Sequence, residues 1–311
     1  MKLFLRSAFC LLFAAALPLL GTRLFPEPTA KEATLTLLTD SGEHSVRMDE
    51  YLIGVLAGEM PAAFPEEALK AQAVASRSYA EVLLQRGKHG VNTLCAAGSC
   101  CQSYKNEEER RSLWGHDFAR YEAKLRACVE ATAGQRLYYQ GESVEACFHA
   151  SSRGSTESSE AVWGHALPYL VAVSSPESCE SVPKLMTTLS FHTEELTSAL
   201  GADSNAVPIG ECIRDEAGRV ETIELLGKPC SGKELRTLLG LRSTDFSVAF
   251  SDGLFRFTVY GYGHGVGMSQ YGAKLMAEQG SSYREILAHY YPGTEVKVRS
   301  EELSVIYTKN S

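Results

Sequence analysis

The chain has 311 residues, 44% of them hydrophobic, enough to bury a sizeable core as one large domain or two small ones. A net charge of −8 with no basic cluster argues against a nucleic-acid partner. Nine cysteines is an odd number, so an exported chain cannot pair them all internally.

In chain order, Lys2 and Arg6 precede an apolar run from Ala8 to Leu20, followed by Arg23. Residues 1–25 therefore read as an export signal, short for a bilayer span unless Leu24 and Phe25 join it. Residues 26–33, rich in Pro and charge, read as a tether, and a single domain is expected over 34–311. Thr34 to Leu38 and His44 to Met48 flank the turn TDSGE as a β-hairpin, and Asp49 is placed to cap a short helix ending near Glu59. A Pro-bounded break from Met60 to Pro65 leads into a long helix from about Glu66 to Leu84. A carboxylate at a helix end beside such a corner is held by packed structure yet can face a cleft, which general acid work requires. Glu59 is the candidate. Glu66 and Glu67 sit in the first turn of the long helix, where the macrodipole favours negative charge, and read as structural. Lys70 and Arg77 lie two turns apart and share a helix face, ordinarily a solvated one.

His89, Cys95, Cys100 and Cys101 crowd four soft or borderline ligands into one short segment, a composition suited to tetrahedral zinc. Four protein ligands would close the coordination sphere, making the metal structural with no catalytic metal implied. A disulfide from Cys95 to Cys100 or Cys101 is the alternative. A helix is expected over 106–133 with Trp114, Phe118, Tyr121 and Leu125 as its core stripe, then a hairpin over 136–151 around Gly141. HASSRGSTESSEAVWG reads as a turn-rich wall whose hydroxyls and amides could meet sugar hydroxyls. Residues 175–260 read as connecting structure with a strand at 187–192, a helix from Glu194, a hairpin around DEAGR flanked by Cys212 and Cys230, and a last hairpin ending at LFRFTVYG. In GYGHGVGMSQYGA, alternate glycines permit tight turns and close approach, but no Lys-Ser/Thr follows them, so a phosphate loop is excluded. An amphipathic region from Lys274 to Tyr291 closes the domain.

EMPAAFPEEALKAQAVASRSYA, FHASSRGSTESSEAVWGHALPYL and GYGHGVGMSQYGAKLMAEQG, in that order, resemble the three motif blocks of the stage II sporulation protein D family, over about 34–295. The resemblance implies a membrane-anchored lytic transglycosylase, held by an uncleaved N-terminal segment with its catalytic domain outside the cytoplasm, acting in septal wall degradation and engulfment during endospore formation. It implies Glu59 as the acid and gives Lys70 and Arg77 a glycan-facing reading. His149, Ser152 and Glu157 carry over as cleft residues. In a glycan enzyme His264 and Gln270 could bond sugar groups and Tyr262 could offer its ring to a pyranose. The His and Cys spacing of 89–101 also resembles a zinc loop of some members. The family pattern has Gly-Gly where this chain has Arg153 and Gly154, which puts the local loop geometry in question. Implied partners are peptidoglycan strands lacking stem peptides and an amidase, the stage II sporulation protein P. Two alternatives stand beside the enzyme: a non-enzymatic enhancer of a wall amidase, and a zinc-dependent amidase. The fold expected is α+β, with helices grouped in the first half and several hairpins forming a cleft.

Overall fold

The computed structural model describes residues 34–298, so the expected export segment and tether lie outside the described residues. Among the described residues, no helix is long and apolar enough to cross a membrane. The chain starts with the expected hairpin, β1 (Thr34–Thr39) against β2 (Gly42–Arg47), which points Leu35 and Leu37 inward. Helix α1 (Met48–Glu59) begins two residues earlier than the Asp49 cap predicts, with Arg47 at the N-cap position. Asp49 is thus a first-turn residue, paired with Arg47 and accepting the Glu50 amide, where the helix dipole favours it. Tyr51, Leu52, Ile53, Val55 and Leu56 are all buried, so α1 has apolar contacts on nearly every side and forms the axis of the main core.

Helix α2 (Glu66–Arg86) ends at Gly87, whose left-handed φ of 62° no β-branched residue would tolerate cheaply. Strand β3 (Thr93–Cys95) returns to pair parallel with β1. The single helix expected over 106–133 is two: α3 (Glu107–Trp114) and α4 (Phe118–Ala131), separated by a 3-10 turn at Gly115, where φ is 51°. Of the predicted core stripe only Leu125 is fully buried. Trp114, Phe118 and Tyr121 form a half-buried aromatic cluster, because the break turns their face outward. The hairpin around Gly141 is short, β4 (Gln135–Tyr139) with β5 (Glu142–Ser143), and β6 (Phe148–His149) leaves it to pair elsewhere.

After the short helix α5 (Ser159–Trp163), a second core begins. It comprises β7 (Met186–His192), α6 (Thr193–Leu200), β8 (Ile209–Arg214), β9 (Val220–Leu225), β10 (Lys228–Ser231), α7 (Gly232–Leu238), β11 (Phe246–Ser251) and β12 (Leu254–Tyr260). Two three-stranded sheets, β10-β9-β8 and β11-β12-β7, enclose Leu225, Leu235, Phe255 and Phe257. Cys212 and Cys230 both oppose Ile223 from either side of β9. Two strand spacings put them roughly 10 Å apart, too far for a disulfide.

The chain then returns to the first core through β13 (Met268–Ser269), α8 (Gln270–Glu278), α9 (Tyr283–Tyr290) and β14 (Glu295–Val298), which pairs with β4. Helix α2 is surrounded by α1, α4, α8, α9 and β4. The fold is α+β as expected; hairpins occur in both cores, β1–β2 and β4–β5 in the first and β8–β9–β10 and β11–β12 in the second.

Candidate functional site

Two chain segments distant in sequence are laid side by side to make the site. β6 pairs parallel with β13, Ser151 bridges Tyr262, and Glu157 bridges Val266, so the Ser-rich and Gly-rich blocks run alongside one another. Glycine is required there by space. A Cβ on Gly267 (φ 71°) would lie 2.0 Å from the Cys147 carbonyl oxygen, and one on Gly263 would lie 2.8 Å from the His149 Cβ.

These segments form one wall of a cleft of about 770 Å³ whose lining includes Glu59, Cys100, Glu145, His149, Trp163 and His264. Glu59, the last residue of α1, is partly buried, and its Oε1 accepts the Ser103 amide at 2.6 Å. Burial pushes its carboxyl above the usual range; hydrogen bonds from the Ser103 N–H and the Gln270 side chain pull the other way. Gly54 and Gly58, one turn apart, allow the Ser103 segment to approach. A Cβ on Gly54 would meet the Tyr104 ring at 2.1 Å, and one on Gly58 would meet the Ser103 carbonyl oxygen at 2.6 Å. Lys105 N–H donates to the Gly54 carbonyl, and Gln102 accepts from Tyr51 and donates to the Ser76 carbonyl, so this stretch is fastened along its length.

The same stretch leaves the cysteine loop. His89, Cys95, Cys100 and Cys101 place one ligand atom each within 4.8 Å of one another, a cluster sized for one metal ion. The Cys100 thiol is lowered to about 7 by hydrogen bonds from Lys88 and then Cys95, with His89 Nε2 3.2 Å away, while burial raises Cys101 to about 12. Three sulfur donors beside an imidazole suit a borderline-soft ion, and the closed set of four leaves no protein-free position.

His149 is buried with its tautomer fixed by partners. The Val266 carbonyl can only accept, so Nδ1 carries the proton at 3.2 Å and Nε2 accepts from the Ser152 hydroxyl at 2.6 Å. Burial, then His264 and Arg219, hold this imidazole well below its ordinary pKa. Ser152 also accepts from Arg219 Nη2 at 3.0 Å and is fully buried, so it supports the wall and does not face the cleft. His264 Nδ1 accepts the Val266 amide at 3.0 Å, and burial followed by Arg236 pushes its pKa down to about 4. It is a neutral ring flanked by Trp163 at 5.3 Å and His149 at 5.8 Å.

Other predicted residues lie elsewhere. Arg77 has no exposed surface; its Nη1 donates to the Thr132 and Gln135 carbonyls. A glycan-facing Arg77 is therefore incorrect, because the helix face it shares is enclosed by the neighbours of α2. Lys70 pairs with Glu67 at 2.8 Å and does not line the cleft. Tyr262 is half exposed with the Arg242 guanidinium 4.4 Å above its ring, outside the Glu59 cleft. Gln270 is buried and reaches Gln72 at 3.5 Å, so it sits behind the acid as a partner of Glu59. Arg153 leaves the loop to grip Asp245 at 2.7 and 3.1 Å and to cover the Tyr260 ring, while Gly154 supplies the left-handed turn.

Glu157 lines a second cavity of about 650 Å³ that shares His264 with the first. Its carboxylate accepts the Ser158 amide and faces Arg219 Nε at 3.6 Å, while burial and Asp215 raise its pKa to about 7. Sequence reasoning missed Trp163, Glu145 and Arg219. Trp163 lay inside a recognised block, where a tryptophan among Ser, Thr and Gly was a usable signal. Glu145, gripped by Arg86 at 2.8 and 2.5 Å, had none, and Arg219 sat in a segment read as connecting structure.

A family model for stage II sporulation proteins, SpoIID, matches residues 42–139. The chain is 38% identical over 294 residues to stage II sporulation protein D of Bacillus amyloliquefaciens, covering 91% of this chain and 85% of that one. It is 37% identical to stage II sporulation protein D of Bacillus subtilis (81% and 75% covered), and 28% identical to the amidase enhancer of the same organism (78% and 40% covered). The matched span includes Glu59 and the cysteine loop, and the chain belongs to the stage II sporulation protein D family.

Proposed function

We propose that the chain is a lytic transglycosylase that cuts peptidoglycan strands between N-acetylmuramic acid and N-acetylglucosamine during endospore formation. The observation that carries this reading is Glu59: a carboxyl raised by burial, held by uncharged donors only, in the lining of a cleft. The protonated carboxyl gives its proton to the glycosidic oxygen as the bond to muramic C1 breaks. The resulting carboxylate takes the proton of the muramic C6 hydroxyl as O6 bonds to C1, giving a 1,6-anhydro end and restoring the acid without consuming water. Hydrolases of the two-carboxylate kind need a free second carboxylate, and the cleft's other one, Glu145, is occupied by Arg86. Trp163 offers a flat apolar ring at the rim for a pyranose.

In this reading His89, Cys95, Cys100 and Cys101 hold a structural zinc, which supplies rigidity to the loop feeding Ser103 toward Glu59. The domain works outside the cytoplasm on strands stripped of stem peptides by a partner amidase, tethered through the N-terminal segment. Mass spectrometry of products from peptide-free strands tests the reaction. Ends in 1,6-anhydromuramic acid, absent with Glu59→Gln, are expected; reducing ends would overturn the transglycosylase reading. The similarity to an amidase enhancer favours one alternative, a non-enzymatic activator, and a Glu59→Gln protein that still fully stimulates a wall amidase, with no strand cleavage by wild type, would select it.

A further inference from the structure

The second cavity, which shares His264 with the Glu59 cleft, is charged in a way the proposed reaction does not use. Its lining includes Arg214, Arg219, Lys233 and Arg236. Arg214 spends its donors on the Gly218 and Phe246 carbonyls, each at 2.7 Å, and Lys233 donates to the Val162 carbonyl. Arg236, on α7, is different. Among the described residues its side chain has no hydrogen bond and no ion pair, although it is half buried, and the charges acting on it are those of Arg219 and the Tyr262 hydroxyl. The carboxylates of the cavity, Glu157 and Asp215, gather at Arg219 instead, with Glu216 and Glu221 exposed beside them. Arg219 in turn has a buried Nη1 with no acceptor. Arg236 therefore lines this space with its side-chain donors unused, and half-burying a cation without a counter-ion costs free energy that a bound anion would recover. Planar carboxylates match the guanidinium fork best.

We propose that the His264 end of this cavity is a carboxylate subsite, in which Arg236 binds the free lactyl carboxylate of a muramic acid residue on the strand held by the Glu59 cleft. The inference rests on the glycan-cleaving reading and deepens it. The lactyl carboxylate is ionised only when no stem peptide is attached through it as an amide, so Arg236 makes the cleft selective for peptide-free strands.

The test is equilibrium binding of the full-length Glu59→Gln protein to purified peptide-free strands, and to the same strands with their carboxyls converted to methylamides. Native strands are expected to bind about tenfold or more tighter than methylamidated ones, the scale of one charge-assisted contact. Arg236→Gln should remove that difference while leaving the affinity for methylamidated strands unchanged. Arg236→Lys, which keeps the charge without the fork, should retain part of it and serves if the Gln variant does not fold. Equal binding of both strands by the Arg236 protein, an equal loss for both in the variants, or no strand binding overturns the subsite. Complete displacement by millimolar acetate would assign the site to a free anion instead. If binding depends on the carboxyls but wild type yields no anhydro ends, the subsite stands and the transglycosylase reading falls.

Discussion

Glu59 and Glu157 are both glutamates of cleft walls, both buried enough to be raised, and they are built for opposite ends. Around Glu59 every identified partner is uncharged: a backbone amide from Ser103 and the Gln270 side chain. Around Glu157 an ionic partner joins the Ser158 amide: Arg219, itself shared with Asp215 and Asp245, ties the Ser-rich block to the second core. The first arrangement leaves a proton available to whatever enters the cleft. In the second, charge is used to hold two distant parts of the chain together. Keeping cations off the acid is thus as much a feature of the site as the acid itself, and Arg86, the nearest cleft guanidinium, is committed to Glu145.

The contrast is tested most severely by Glu59→Gln, which is expected to lower strand cleavage by about two to four decades, read from anhydromuramic ends. Stability should move the other way. A folded pKa above the unfolded one contributes stability that is present below the unfolded value and lost as pH rises through the folded one. Glu59→Gln should therefore match wild type in acid and exceed it at neutral pH and above, measured as urea midpoints. Arg219→Ala should do the reverse, costing about 3–5 kcal/mol of stability by stranding Glu157 and leaving Ser152 short of a donor, with the same urea titration as readout. Activity that falls while stability holds would refute the structural role given to Arg219. Smaller again, Gly54→Ala should cost about 1–3 kcal/mol despite the better helix propensity of alanine, because Tyr104 must move. Cleavage should fall with it as Ser103 shifts from Glu59. Least of all, a chelator is expected to lower the melting temperature by loosening the cysteine loop, with metal content followed in parallel.

Much of the first half was legible because its signals are local. Proline and glycine punctuation bounded α1 and α2, and the helix-end position of Glu59 followed from Met60 to Pro65 alone. The His/Cys spacing led directly to one cluster. What failed was direction. The spacing of Lys70 and Arg77 fixes a common face but not whether that face meets solvent, and α2 is enclosed by elements up to two hundred residues away in sequence. The break at Gly115 was visible as a glycine and still overridden by the strong aromatic periodicity around it. Arg219 was out of reach, since only the pairing of β8 with β9 and the packing of their turn toward Ser152 give it a role. The same holds for Gln270, which was read as a ligand of sugar and stands behind the acid.

The amide of Ser103 has a further consequence through its place on Glu59. A backbone N–H fixed at 2.6 Å from one carboxylate oxygen feels the charge of that carboxylate directly. Its nitrogen chemical shift should follow the ionisation of Glu59, and its exchange with solvent should slow when the carboxyl is charged. The chain thus carries a spectroscopic reporter on its own acid, one that can be titrated without substrate and compared between the free protein and a strand complex.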